Sequence, residues 1–171
     1  MIFRLSQALN AKIRAGALPT LPLDENPFAD WSAHLFVAHR TQYVILSNTQ
    51  SLYSTVMHGG GLNDTSHFIE RALSSIREFM QDDGQEFVYR RFIAPAGETL
   101  SFSRALNRSV TGSMNDLINH ATLWLIEDDL SPQDVGFGLN DVLLSALTRS
   151  KTDFYRKPRE AFKDLANSIE P

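Results

Sequence analysis

Between Trp31 and Met57 three β-rich runs follow one another: Ser32 to His39, Gln42 to Ser47 and Leu52 to Met57. Only Arg40-Thr41 and Asn48-Thr49-Gln50-Ser51 part them, so the region reads as an antiparallel meander. The middle run holds Tyr43-Val44-Ile45-Leu46, apolar at consecutive positions, which marks a strand covered on both faces and therefore central in its sheet. Helices must pack on such a strand.

The next segment supplies one. Phe68, Ile69, Ala72, Leu73, Ile76, Phe79 and Met80 recur on a 3.6-residue stripe, with Asn63 or Asp64 as cap and Gly84 past the end. The spacing predicts a helix from about Asp64 to Gln81. A second stripe, Val110, Met114, Leu117, Ile118, Ala121, Trp124 and Leu125, predicts a helix from about Ser109 to Ile126. Around these lie shorter elements: a strand at Ile2 to Leu5, a weak helix from Gln7 to Arg14, a short helix across Phe87 to Ile93 and a fourth strand near Glu98 to Arg104. Val135, Phe137 and Leu139 alternate like an edge strand, and Pro158 opens a terminal helix with Phe162, Leu165 and Ile169 inward. Pro19, Pro22 and Pro27 make residues 18–30 an extended crossing.

The sum is an α+β fold over residues 1–171, read as a single domain. Its antiparallel sheet has about four to five strands with helices packed on it in two layers, and residues 131–171 form a C-terminal extension that ends in a helix.

At 171 residues the chain buries enough surface to fold without staples. With zero cysteines, it has no disulfide, thiolate metal site or cysteine nucleophile. Apolar residues at 43% and charged residues at 21% are ordinary globular values. No apolar run approaches the length of a membrane span, so no membrane association is expected. The opening residues Met1 to Leu9 lack an apolar core followed by a cleavage site, and a cytoplasmic setting is expected. A net charge of −4 argues against nucleic acid as a partner and leaves a local arginine patch as its route.

The stretch Arg108-Ser-Val-Thr-Gly-Ser-Met-Asn-Asp-Leu-Ile118 crowds polar chemistry ahead of an apolar stripe. A helix start offers free amides and the positive end of a dipole, so Thr111, Gly112 and Ser113 are candidates to hold a phosphate or carboxylate. Arg108 would add charge, Ser109, Asn115 and Asp116 complete the candidate set, and Trp31 and His34 are possible accessories. The plainer reading makes Ser109 or Thr111 the helix cap and lets Gly112 bring the helix close to the sheet.

Other patterns carry less. His58-Gly59-Gly60-Gly61 matches an oxyanion-hole string, but the Gly-x-Ser-x-Gly elbow that must accompany it is missing, and a glycine connector accounts for it. No phosphate-loop pattern occurs. The five histidines, His34, His39, His58, His67 and His120, never fall at the helical spacing of a zinc pair, so no metal and no cofactor is expected. Asp82-Asp83 and Asp128-Asp129 read as solvated helix ends.

Three stretches together resemble a family: Asp30-Trp-Ser-Ala-His-Leu-Phe36 with Tyr43 to Asn48 and Leu52 to Met57; Gly97 to Phe102; and Asn107 to Asp116. They are similar to an uncharacterised bacterial domain-of-unknown-function family of small stand-alone proteins that begin with a strand and a basic helix. The likeness covers residues 1–126. It implies fold and setting and brings no chemistry, because the family carries no assigned activity. Where its first strand tends to read Trp-His-Ala-Asn-Leu, this chain has Trp31-Ser-Ala-His-Leu35.

With no nucleophile and base pair, metal set or phosphate loop in view, the favoured function is a non-enzymatic protein-interaction or regulatory module acting through a partner or self-association. Trp31, Phe36, Tyr43 and Tyr53 would form its exposed patch on the sheet. One alternative is an enzyme or small-anion binder at residues 108–116, with Arg108 as clamp and Asp116 or His34 as base. Another is nucleic-acid binding through Arg71, Arg77, Arg90, Arg91, Arg104 and Arg108.

Overall fold

The meander is present as β2 (Asp30–Ala38), β3 (Thr41–Asn48) and β4 (Ser54–His58), each antiparallel to the next, in a computed structural model that describes residues 1–147 and 155–169. The β2–β3 turn is two residues long, His39 and Arg40, both at positive φ (48° and 66°), with Ala38 paired to Thr41. Such a turn matches the twist of its strands but is normally filled by Asn-Gly, because a side chain pays about 1–2 kcal/mol per residue in the left-handed region. The double substitution His39→Asn and Arg40→Gly is therefore expected to stabilise the fold by about 1 kcal/mol in urea unfolding. An unchanged or lowered midpoint would mean that the native pair makes compensating contacts.

The sheet is not purely antiparallel. Its order is β4-β3-β2-β1-β5, where β1 (Ile2–Leu5) runs parallel to both β2 and β5 (Ser101–Ser103). Parallel pairing follows from the long return between β1 and β2, which includes α1 (Gln7–Ile13) and the proline-rich crossing. That crossing is irregular apart from a single 3-10 turn at Pro27–Ala29, which Asn26 caps through its side chain. Arg4 and Asp30 anchor it. Their side chains are fully buried and paired at 2.7 Å and 2.8 Å, while the Arg4 guanidinium also donates to the carbonyls of Leu21 and Pro22.

The expected two layers are three. One face of the sheet, with Phe3, Leu5, Trp31, Ala33, Val44, Leu46 and Met57, packs on α1, on α2 (Thr65–Asp82) and on α6 (Pro158–Ile169). The other, with Phe36, Ala38, Ile45 and Val56, packs on α4 (Arg108–Glu127) and α5 (Pro132–Leu139). Val44, Ile45 and Leu46 are fully buried, as an apolar run at consecutive positions requires, although the middle strand is β2 and not β3. Covering both faces also removes the expected aromatic patch: Trp31, Phe36 and Tyr53 are buried and Tyr43 is half-buried.

Residues 132–139 are a helix where alternation suggested an edge strand. Ser131 caps it through its hydroxyl, Pro132 occupies the first turn, and Val135 and Leu139 face inward at helical spacing. Two glycines let this helix nestle: a Cβ at Gly136 would lie 2.8 Å from the Phe79 ring, and one at Gly138 would lie 2.9 Å from the Trp124 ring. Gly136→Ala is therefore expected to cost about 1–3 kcal/mol despite the better helix propensity of alanine, read as a lower urea midpoint. A stabilised variant would show that α5 has room to move off α2. Just past its end, the Asn140 amide pairs with both backbone groups of Ser54, at 2.7 Å and 2.9 Å, and so occupies part of the β4 edge as a neighbouring strand would.

Between α2 and β5 the chain makes a short helix, α3 (Glu86–Val88), which continues as a π turn over Tyr89–Ile93. β5 is shorter than the alternation of Leu100 and Phe102 suggested, because a 3-10 turn at Ala96–Glu98 precedes it. Asp83 is not a solvated helix end. Its carboxylate accepts from the Tyr53 hydroxyl at 2.5 Å and from Arg159 at 2.5 Å and 2.7 Å, which fastens α6 to α2.

Candidate functional site

β1 and β5 lie side by side and parallel, and the helices that follow them leave toward opposite faces: α1 onto one core, α4 onto the other. Divergence of that kind opens a crevice at the carboxyl ends of parallel strands, the place where open sheets with helices on both faces bind their ligands. A cleft of about 740 Å³ occupies it, within the size range of small-molecule sites. Its lining includes Leu5, His34 and Leu35 from the strands, Ser6 and Asn10 from the start of α1, and Arg104, Thr111, Asn115 and Ile118 from the segment after β5.

Local chemistry shapes each wall. The Ser6 hydroxyl caps α1 by accepting from the Leu9 amide at 3.2 Å. It also accepts from the Leu35 amide at 3.4 Å, which ties the helix start to β2. Arg14 ends the helix at a φ of 59°, and the Asn10 Nδ2 donates to the Gly16 carbonyl at 2.9 Å, folding Gly16 to Leu18 back along the cleft. Arg104 pins the opposite wall: its amide donates to the Pro19 carbonyl at 2.9 Å and its Nε to the Leu18 carbonyl at 3.1 Å. Thr111, Asn115 and Ile118, four and three residues apart, present one face of α4.

Two polar groups at this cleft have no protein partner. His34 is 7% exposed, and its imidazole makes no hydrogen bond, ion pair or ring contact among the described residues. Burial lowers its pKa from 6.5 to about 4, so at neutral pH it is an uncharged ring with one N–H donor and one acceptor. The second group is the Asn10 Oδ1, which is unpaired and lies behind the lining, closed to solvent. Its orientation is set by the partner of the other amide atom, since a flipped amide would place Oδ1 against the Gly16 carbonyl oxygen.

The stretch 108–116 divides. Thr111 and Asn115 line the cleft, whereas Arg108, Ser109, Gly112 and Asp116 are exposed and outside its lining and Ser113 is buried in the packing of α4. The cap is Asn107, not Ser109 or Thr111: its Oδ1 accepts from the Val110 amide at 2.9 Å, and its carbonyl accepts from the Thr111 amide at 3.2 Å. Nor does Gly112 mediate a close approach, because a Cβ there would meet nothing within 4 Å. Trp31 stands on the far side of the sheet, with its indole N–H donating to the Phe28 carbonyl at 2.8 Å. Asn10 and Ser6 went unmarked in the sequence, since a polar residue near the start of a weak helix carries no signal of what faces it. A second indentation, about 440 Å³ beside β4 and α2, holds Arg71, which is already engaged by the carbonyls of His58 and Gly60.

The model of the family described as Domain of unknown function (DUF6933) matches residues 2–161. No curated protein and no solved structure matches the chain.

Proposed function

We propose that this chain, which belongs to the Domain of unknown function (DUF6933) family, is a small-molecule-binding protein whose ligand sits in the cleft between α1, β2 and the first half of α4. One observation carries the reading: a cleft of small-molecule size at the carboxyl ends of β1 and β5 holds His34, a largely buried imidazole with no protein partner. Binding is favoured over catalysis, since His34 is a weak base near neutral pH and no side chain among the described residues hydrogen-bonds to it to form a nucleophile and base pair.

A thermal-shift screen of small polar metabolites tests this with the native chain and with Ala8→Trp, which fills the cleft from the exposed face of α1. Compounds that raise the melting temperature of the native chain should lose that effect in the variant. Equal shifts in both would place binding elsewhere.

A protein-interaction role keeps one supporting observation. Leu123 and Ile126, three residues apart near the end of α4, and Leu130 just past it are exposed. Sedimentation of Leu123→Glu beside the native chain tests it: a concentration-dependent dimer that the variant abolishes would favour this second reading. Nucleic-acid binding has less support, because Arg71 is held by carbonyls, Arg90 pairs with Glu86 and Arg91 lies over the rings of Phe87 and Phe92.

A further inference from the structure

Resting on the reading of this cleft as a small-molecule site, we infer that its ligand is an organic anion, a carboxylate or a phosphate. The charge follows from the lining. No described residue of the cleft is acidic, although the chain as a whole carries 20 acidic residues and a net charge of −4. A cationic ligand would therefore find no counter-charge there. Arg104 lines the cleft with its Nε engaged by the Leu18 carbonyl, while the two terminal nitrogens of the guanidinium have no hydrogen bond or ion pair among the described residues. That leaves a planar pair of donors whose spacing matches the oxygens of a carboxylate or phosphate.

His34, Thr111 and Asn115 add groups that donate and accept, as a ligand with several oxygens requires.

The test is a backbone amide NMR titration of the full chain with five matched probes: glycerate, glycerol 3-phosphate, glycerol, 3-amino-1,2-propanediol and propionate. The inference predicts shifts at the amides of His34, Leu35, Thr111 and Asn115 with glycerate, glycerol 3-phosphate or propionate at concentrations about tenfold below those needed for glycerol. The order of glycerate and glycerol 3-phosphate identifies carboxylate or phosphate as the preferred group. Arg104→Gln should abolish the preference for acids, and Arg104→Lys should keep part of it; Arg104 is exposed, so neither change threatens folding. If glycerol or the amine shifts these amides as readily as the acids do, the anion is wrong and the cleft stands. If none of the five moves these amides into the high millimolar range, both the inference and the reading it rests on fall.

Discussion

Asp30→Ala is expected to destabilise the fold by about 3–5 kcal/mol, because it leaves the Arg4 guanidinium buried without its counter-ion. Both side chains are fully buried, and the pair is bidentate, Nε to Oδ1 at 2.8 Å and Nη2 to Oδ2 at 2.7 Å. The carbonyls of Leu21 and Pro22 still accept from Arg4 in the variant, which holds the cost near that of a lost partner and well below that of a bare buried charge. The double variant Arg4→Met with Asp30→Leu should recover most of the loss, since it removes the buried charge together with its partner. Urea unfolding of the three proteins checks this. A single-variant cost below about 1 kcal/mol, the range of an exposed pair, would contradict the burial described above. The consequence reaches the cleft, because this pair anchors the crossing that begins with Gly16 to Leu18 on the cleft wall.

Stability should fall as pH drops from about 6.5 to about 4, and His34 should account for a separable share of the fall. Its folded pKa is about 4 against 6.5 when free of the fold. Between those values the unfolded chain takes up a proton that the folded chain refuses, so acid favours unfolding. The stabilisation is complete above about pH 6.5 and is lost progressively down to about pH 4, where both states bind the proton. The difference in pKa corresponds to roughly 3 kcal/mol across the window. Carboxylates also begin to titrate at its lower end, so the informative quantity is the difference between the native chain and His34→Leu. Unfolding free energies at pH 7 and pH 4.5 should differ less in the variant by about 2–3 kcal/mol. Identical pH dependence in both would mean that the imidazole is hydrated and not desolvated in the folded chain.

What was legible in the sequence was whatever depended on local periodicity. α2 begins and ends within a residue of the stripe that predicted it, with Asp64 as its cap. The β2–β3 hairpin needed only two β-rich runs and a short gap. Features that depend on partners distant in sequence were not legible. β1 is buried at all four of its positions, so nothing in its pattern distinguishes parallel from antiparallel neighbours. α5 is short, and Val135, Phe137 and Leu139 satisfy a strand period as well as Val135 and Leu139 satisfy a helical one; Gly136 and Gly138 are spaced for the rings of Phe79 and Trp124, which no local reading supplies.

The site divides along the same line. His34, Thr111 and Asn115 were among the residues singled out, and all three line the cleft. The rationale for residues 108–116 was an anion cradle at the helix tip, whereas the residues of α4 that line the cleft lie along its side. Asn10 meets His34 and Arg104 only because α1 and α4 diverge from adjacent parallel strands, a fact of topology and not of spacing. Burial, too, is a tertiary property: the same imidazole on an exposed strand would not be desolvated and would carry no message.

The account stands most directly on crystallographic soaking of the chain with a library of small polar fragments. It predicts that acids collect in the cleft of about 740 Å³, with one polar atom within hydrogen-bond distance of His34 and the acid group on Arg104. A cleft that holds only solvent, with fragments gathering instead in the smaller groove beside β4, would contradict it.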